Sequence, residues 1–184
     1  MQKGYEIILD QTKYILPIIE VSPGVKIALF DTMSDRKMLV SAVNALSAKI
    51  KEKIAGDFDV IASSESKGIP LAFALAERFD KDVVIFRKEQ KLYNPQAISE
   101  SVQTITTGKQ QKLWFDLEKK ILLAEKKVLI VDDVVSSGAS LAAMKRLVEK
   151  CDGKVCGQAF VLAEDEAYKR EDIIYAAVIP IMKD

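Results

Sequence analysis

The sequence predicts an α/β fold built on a doubly wound, mostly parallel sheet. Apolar strands alternate with amphipathic helices along most of the chain, and those strands are near-continuous apolar runs rather than alternating ones. Strands of that kind are buried on both faces, as in a parallel sheet covered by helices. At 184 residues one domain can bury roughly 70% of its unfolded surface, so a single domain over 1–184 is expected.

Leu39, Ala42, Val43, Leu46, Ile50 and Ile54 recur at helical spacing and predict a helix over 35–55, stopped by Gly56-Asp57. FDVIA (58–62) reads as a short buried strand, and after SSESKGIP a helix runs from about Pro70 to Phe79. Proline in a first turn loses no intrahelical bond. DVVIF (82–86) is the next strand. Residues 87–127 begin charged and become rich in Ser, Thr and Gln. Within them TITTGKQQKLWF suggests a β-hairpin turning near Gly108. VLIVD (128–132) is a strand, ASLAAMKRLVEK (139–150) a helix, VCGQAFVLA (155–163) a strand, and IIYAAVIPI (173–181) a closing apolar run.

Lys+Arg and Asp+Glu both total 27, so no net field draws the chain to nucleic acid or an anionic membrane. No apolar run approaches membrane-spanning length, and MQKGYEIILD lacks the apolar region of a signal peptide. Cys151 and Cys156 lack neighbouring metal-ligand residues and read as reduced thiols, which makes a cytoplasmic protein the expectation. The chain has no histidine. Ser-His-Asp and Cys-His catalysis and the zincin motif are thereby excluded, and acid-base work falls to carboxylates, Lys, Tyr or the substrate.

The stretch VLIVDDVVSSGAS (128–140) carries the most chemistry. Ligands of open parallel sheets sit beyond the carboxyl ends of strands, where loops lead into helix N-termini. Asp132 and Asp133 follow the apolar run, and Ser136, Ser137, Gly138, Ala139 and Ser140 form a turn of small residues entering a helix. Free N–H groups there suit a phosphate, and the acids suit a polyol or a Mg²⁺-bound group. A sugar phosphate satisfies both halves. A simple helix cap is the plain alternative. A receiver domain is excluded because only 52 residues follow Asp132, and no GxxxxGK[ST] occurs.

The thirteen residues resemble the 5-phosphoribosyl-1-pyrophosphate (PRPP) signature of the type I phosphoribosyltransferases at every position. That resemblance implies Asp132 and Asp133 on the ribose hydroxyls and Ser136, Ser137, Gly138, Ala139 and Ser140 on the 5′-phosphate. ASSESKGIPLAFALAERF (62–79) is similar to the pyrophosphate-loop segment of the family's adenine members, which implies Ser66, Lys67 and Gly68 at the pyrophosphate. VVIFRKEQKLY (83–93) resembles the strand that implies Arg87, Lys88 and Lys91 for the leaving group. One such cation often reaches a neighbouring subunit in this family, which implies a homodimer.

LPIIEVSPGVKIALFDTMSD (16–35) resembles the N-terminal hood of the adenine members, with Leu29-Phe30-Asp31 at the base. The resemblance implies a type I phosphoribosyltransferase fold with a small hood, from about 1–33 and 164–184, and a flexible β-hairpin loop at about 94–112. Thr106-Thr107 precede Gly108 where the adenine members carry Glu-Tyr, and that loop is closer to xanthine phosphoribosyltransferase and to the purine repressor of the same fold. Asp165 stands where xanthine-type members offer a Lys. It is either an acceptor for a base presenting N–H groups, such as adenine, or a solvated residue of the acidic loop AEDEAY.

The implied reaction is phosphoribosyl transfer from PRPP to a purine base, adenine type favoured. Mg²⁺ is carried on PRPP, with Asp132 and Asp133 as candidate ligands. Xanthine, hypoxanthine or orotate as the base, and a PRPP-binding regulatory protein without turnover, stay open as alternatives.

Overall fold

The computed structural model describes residues 4–93, 95–102 and 111–183. The expected turn near Gly108 and the Thr106-Thr107 pair lie outside the described residues. Five parallel strands form the main sheet in the order β10-β9-β8-β4-β5: β4 (Val60–Ser64), β5 (Asp82–Phe86), β8 (Lys127–Val135), β9 (Lys154–Glu164) and β10 (Ile174–Ile179). Helices α1 (Arg36–Ile54), α2 (Gly68–Phe79) and α3 (Ala139–Lys150) cover it. The doubly wound α/β architecture read from the sequence is therefore the one observed.

Pleat alternation divides the core. Leu129, Val131 and Val161 pack with Leu46 and Ile50 of α1 and Leu71 and Leu75 of α2 on one face. Val128, Ile130 and Phe160 pack with Leu141, Met144 and Leu147 of α3 on the other. Successive side chains on a strand point to opposite faces, so one apolar run feeds both cores.

Local chemistry sets the helix ends. Asp35 Oδ1 accepts from Met38 N at 2.9 Å and caps α1, while Lys51 and Lys53 lie in its last turn, at the negative end of its dipole. Ala55 and Gly56, at φ 51° and 76°, then turn the chain out of the helix.

A second, four-stranded sheet has the order β1-β2-β3-β11: β1 (Gly4–Leu9), β2 (Thr12–Ser22), β3 (Val25–Ala28) and β11 (Ile181–Lys183). The closing apolar run is thus divided at Pro180, with β10 in the large sheet and only β11 in the small one. Of the 164–184 stretch expected in the hood, β11 is the part that joins it. An antiparallel hairpin, β6 (Ala97–Val102) with β7 (Gln111–Asp116), packs against α3. Its first strand is AISESV, so the pairing begins earlier than TITTGKQQKLWF suggested.

Candidate functional site

The chain runs from β4 outward to β5, then returns to β8 and proceeds the other way through β9 to β10. The direction reverses between β4 and β8, and both strands lead into helices there. A doubly wound sheet opens its ligand crevice at such a switch point. The register shows the opening directly: β4 and β8 pair from Val60↔Val128 to Ala62↔Ile130 and no further.

Beyond that point β8 keeps its partner β9, with Asp132↔Phe160, Val134↔Leu162 and Val135↔Ala163. Asp132 and Asp133 therefore sit inside the strand, which the sequence had ended at Asp132. Ser64 Oγ donates to Asp132 Oδ2 at 3.2 Å across the opening, and Asp133 N donates to Asp132 Oδ1 at 3.0 Å. Burial first, and then the charge of Asp133, push the Asp132 carboxyl up to about 8. Burial also raises Asp133, opposed chiefly by the positive charge of Lys67.

Gly68 opens α2 directly against this pair. A Cβ there would fall 2.5 Å from Asp132 Oδ1 and also collide with Ser63 Oγ. The preceding Glu65–Ser66 peptide is cis. Lys67 Nζ donates to Phe30 O at 2.8 Å, joining this loop to the end of the small sheet's segment.

A cavity of about 460 Å³ gathers these groups: Ser64, Ser66, Lys67, Lys88, Asp132, Asp133 and Ser140 line it, with Met33 and the hairpin residues Val102, Gln111 and Leu113. Lys88 N donates to Glu65 Oε2 at 2.9 Å. Arg87 points elsewhere. Its guanidinium donates to Tyr93 OH at 2.7 Å, its backbone pairs with Trp114 in both directions, and it lines a separate cavity with Trp114, Phe115 and Asp116. Lys91 lines neither cavity.

A smaller cavity, about 160 Å³, adjoins Asp132 and is lined by Ser136, Ser137, Gly138, Ala139 and Ser140. Gly138 adopts φ 79°, a left-handed conformation that glycine takes at low cost. Ala142 N donates to Gly138 O at 2.9 Å as α3 begins, and Ala139 N donates to Ser137 Oγ at 3.4 Å. The N–H groups of a helix's first turn have no carbonyl partner within the helix and can serve a ligand. Ser136 donates to the carboxylate of Glu164 at the end of β9, and burial raises that carboxyl.

The segment 29–31, expected at the base, reaches the crevice loop through the Phe30 carbonyl that Lys67 holds. The Phe30 ring is 2% exposed within the core, so Phe30 offers its carbonyl rather than its ring. Asp31 Oδ1 accepts from Met33 N at 3.0 Å, and Leu29 N donates to Pro17 O at 2.8 Å. Met33, 54% exposed, is the residue of this segment that lines the cavity. Asp165 is exposed, at φ 53°, immediately after Glu164. Sequence reasoning did not single out Ser64, Met33 or Glu164. Ser64 and Glu164 become visible only through strand pairing, since Val135↔Ala163 sets Ser136 beside Glu164.

Residues 31–182 match the family of the phosphoribosyl transferase domain. Adenine phosphoribosyltransferase of Desulforamulus reducens is 33% identical over 141 residues, covering 76% of this chain and 77% of that one. The same enzyme of Nitrosopumilus maritimus is 35% identical over 106 residues, covering 58% of this chain and 59% of that relative's length. Adenine phosphoribosyltransferase of Thermoanaerobacter pseudethanolicus superposes with a TM-score of 0.67 at 23% identity, covering 96% of this chain and 95% of that one. A matched segment this long, lying over the crevice and both of its loops, leads to one conclusion: the chain belongs to the phosphoribosyl transferase family.

Proposed function

We propose that this protein transfers the 5-phosphoribosyl group from PRPP to a purine base, adenine type, releasing pyrophosphate and a nucleoside monophosphate in purine salvage. One observation carries the reading. Asp132 and Asp133 stand between two anion-suited loops, Ser66-Lys67-Gly68 on one side and Ser136–Ser140 on the other. PRPP has that order of groups: pyrophosphate, ribose hydroxyls, 5′-phosphate. The matched adenine phosphoribosyltransferases support adenine as the base.

In this reading Asp132 and Asp133 accept from the ribose hydroxyls, and the N–H groups and hydroxyls of Ser136–Ser140 hold the 5′-phosphate. Lys67 and Lys88 neutralise the departing pyrophosphate. A ring nitrogen of the base forms the new bond to C1 of the ribose as the C1–O bond to pyrophosphate breaks. The electron pair leaves with pyrophosphate, and the ring proton of the base passes to the departing pyrophosphate or to water. The chain's work is to orient these partners and stabilise separating charge in an oxocarbenium-like transition state, which requires no histidine.

Two adjacent carboxylates raised by burial suit a divalent cation, because a positive charge beside them relieves the cost of ionising both. Among the described residues no group of three or more His, Cys, Asp or Glu could hold a metal ion. Mg²⁺ held on PRPP oxygens and water, with Asp132 and Asp133 beside it, matches that donor set. When bound it would neutralise charge on PRPP.

Asp165 is proposed to favour a base presenting N–H groups. Asp165→Lys should then shift base preference, and unchanged preference would remove that role. A homodimer is proposed on two grounds: Arg87 faces away from its own crevice, and Phe73 and Ile121 are apolar and 57% and 75% exposed. A single domain comprising crevice and hood completes the reading. A cytoplasmic location accords with the free thiols of Cys151 and Cys156, and no helix among the described residues is long and apolar enough to cross a membrane.

The test is pyrophosphate release with PRPP, Mg²⁺ and a panel of adenine, hypoxanthine, guanine, xanthine and orotate. Release with adenine is expected, and release with another base would reassign the substrate. PRPP binding with no release across the panel would make the protein a PRPP sensor.

A further inference from the structure

The turn at Ser136–Ser140 has a charge problem. Residues 134–140 carry no charged side chain, and Asp132, Asp133 and Glu164 all lie close by. A phosphate ester brings up to about two more negative charges. N–H groups at a helix start supply only about half a positive charge in return.

Arg170 stands at this turn. A Cβ built on Gly138 would collide with Arg170 Nη1, so the guanidinium lies directly against the glycine's Cα. Its other two nitrogens are committed: Nε donates to Asp172 Oδ1 at 3.0 Å and Nη2 to Asp172 Oδ2 at 2.8 Å. That two-point fork fixes the plane of the guanidinium and turns its remaining edge toward Gly138. Asp172 is held in turn. Gln158 Nε2, from a side chain only 8% exposed on β9, donates to Asp172 O at 3.1 Å, and Arg170 N donates to Ala167 O at 3.1 Å.

The geometry points to Arg170 as a positioning residue for the 5′-phosphate, oriented by Asp172 and acting through Gly138. It brings to a turn with no cation of its own a guanidinium N–H edge, its charge partly balanced by Asp172, and it presses on the one residue whose left-handed backbone shapes the cradle. The side chain is one-third exposed, so its field at the turn is partly screened, and the effect is moderate rather than absolute. Gly138 is required twice over, once by its φ and once by the arginine. The inference rests on the reading of Ser136–Ser140 as the phosphate site.

The experiment compares the full-length wild type with Arg170→Gln, Arg170→Lys and Asp172→Asn. Titration calorimetry is run with PRPP, ribose 5-phosphate and pyrophosphate separately, with steady-state kinetics alongside. Arg170→Gln should weaken ribose 5-phosphate about tenfold, the scale of one charge-assisted contact, and leave pyrophosphate affinity where it was. The kinetic loss should fall on KM for PRPP rather than on kcat. Arg170→Lys keeps the charge and loses the fork, so it should recover part of the affinity, and Asp172→Asn should lie between wild type and Arg170→Gln.

Equal weakening of ribose 5-phosphate and pyrophosphate, or a loss in Arg170→Lys as large as in Arg170→Gln, would mark a purely structural role and overturn the inference. Unchanged ribose 5-phosphate affinity in Arg170→Gln would overturn it alone. A wild type that binds neither PRPP nor ribose 5-phosphate would instead bring down the functional reading, and the inference with it.

Discussion

Gly68 and Asp132 touch: a Cβ added to Gly68 would lie 2.5 Å from Asp132 Oδ1. The first residue of α2 thus sets the distance between the loop at Ser66-Lys67 and the carboxylates of β8. Gly68→Ala must push Asp132 or the helix start aside, and neither is the free end of a long side chain. The expected result is a destabilisation of about 1–3 kcal/mol and PRPP affinity lower by about tenfold to a hundredfold. Denaturant melts and calorimetry measure the two losses. A variant of wild-type stability and affinity would show that the contact is not constraining.

Asp132 gives a pH dependence whose sign is fixed. Its folded carboxyl is raised to about 8, against about 3.9 in an unfolded chain. Between those values the folded state binds more protons, so stability falls as pH rises. The ligand-free protein should lose stability from about pH 4 to about pH 8 through this group. Asp132→Asn should flatten that slope and be the more stable protein at the alkaline end. Asp132→Asn with Asp133→Asn should fold and bind no PRPP. Tight residual binding would place the ligand elsewhere.

Lys67 ties the two halves of the crevice together. Its Nζ donates to Phe30 O at 2.8 Å, and its charge holds down the Asp133 carboxyl that burial raises. Lys67→Met removes both effects. Asp133 should then ionise at higher pH, moving the acid limb of PRPP binding upward, and PRPP affinity should fall by at least about tenfold. A pH series of binding titrations reads both. An unmoved acid limb would mean that Asp133 is not the group being titrated.

Elements whose burial is encoded locally were legible in the sequence. DVVIF became β5 and ASLAAMKRLVEK became α3, residue for residue, because apolar runs and helical spacing need no partner to be recognised. Features set by pairing were not. Asp132 and Asp133 look like the end of a strand, yet backbone pairing with β9 continues through them because only the β4 side has opened. Asp10 and Gln11 make a tight hairpin at φ 47° and 63° without the Asn-Gly signature of such turns. Arg87 and Lys88 read as one cationic cluster, but alternation in an extended chain sends them to different cavities. Ser64 and Glu164 are drawn in by strands far away in sequence.

Glu100 fixes the β6–β7 hairpin to the helix that begins at the Ser136–Ser140 turn. Its carboxylate takes Arg146 Nε at 2.5 Å on one oxygen and Lys150 Nζ at 2.5 Å on the other, and Arg146 Nη2 also donates to Ser101 O at 2.8 Å. Those two cations hold the Glu100 carboxyl below the usual carboxylate range. The sign is opposite to that of Asp132. The stabilisation is present above the unfolded pKa and is lost as pH falls through the lower folded value. Glu100→Gln keeps the shape and removes the charge, and because Arg146 and Lys150 are partly exposed the cost should be only about 1 kcal/mol. Melts at descending pH should show wild type and variant converging in acid. Hydrogen exchange in residues 97–102 should rise in the variant, while β4 and β8 keep their protection. Equal protection of the hairpin in both proteins would mean that Val102, Leu113 and Phe115, buried against α3, hold it without the ion pairs.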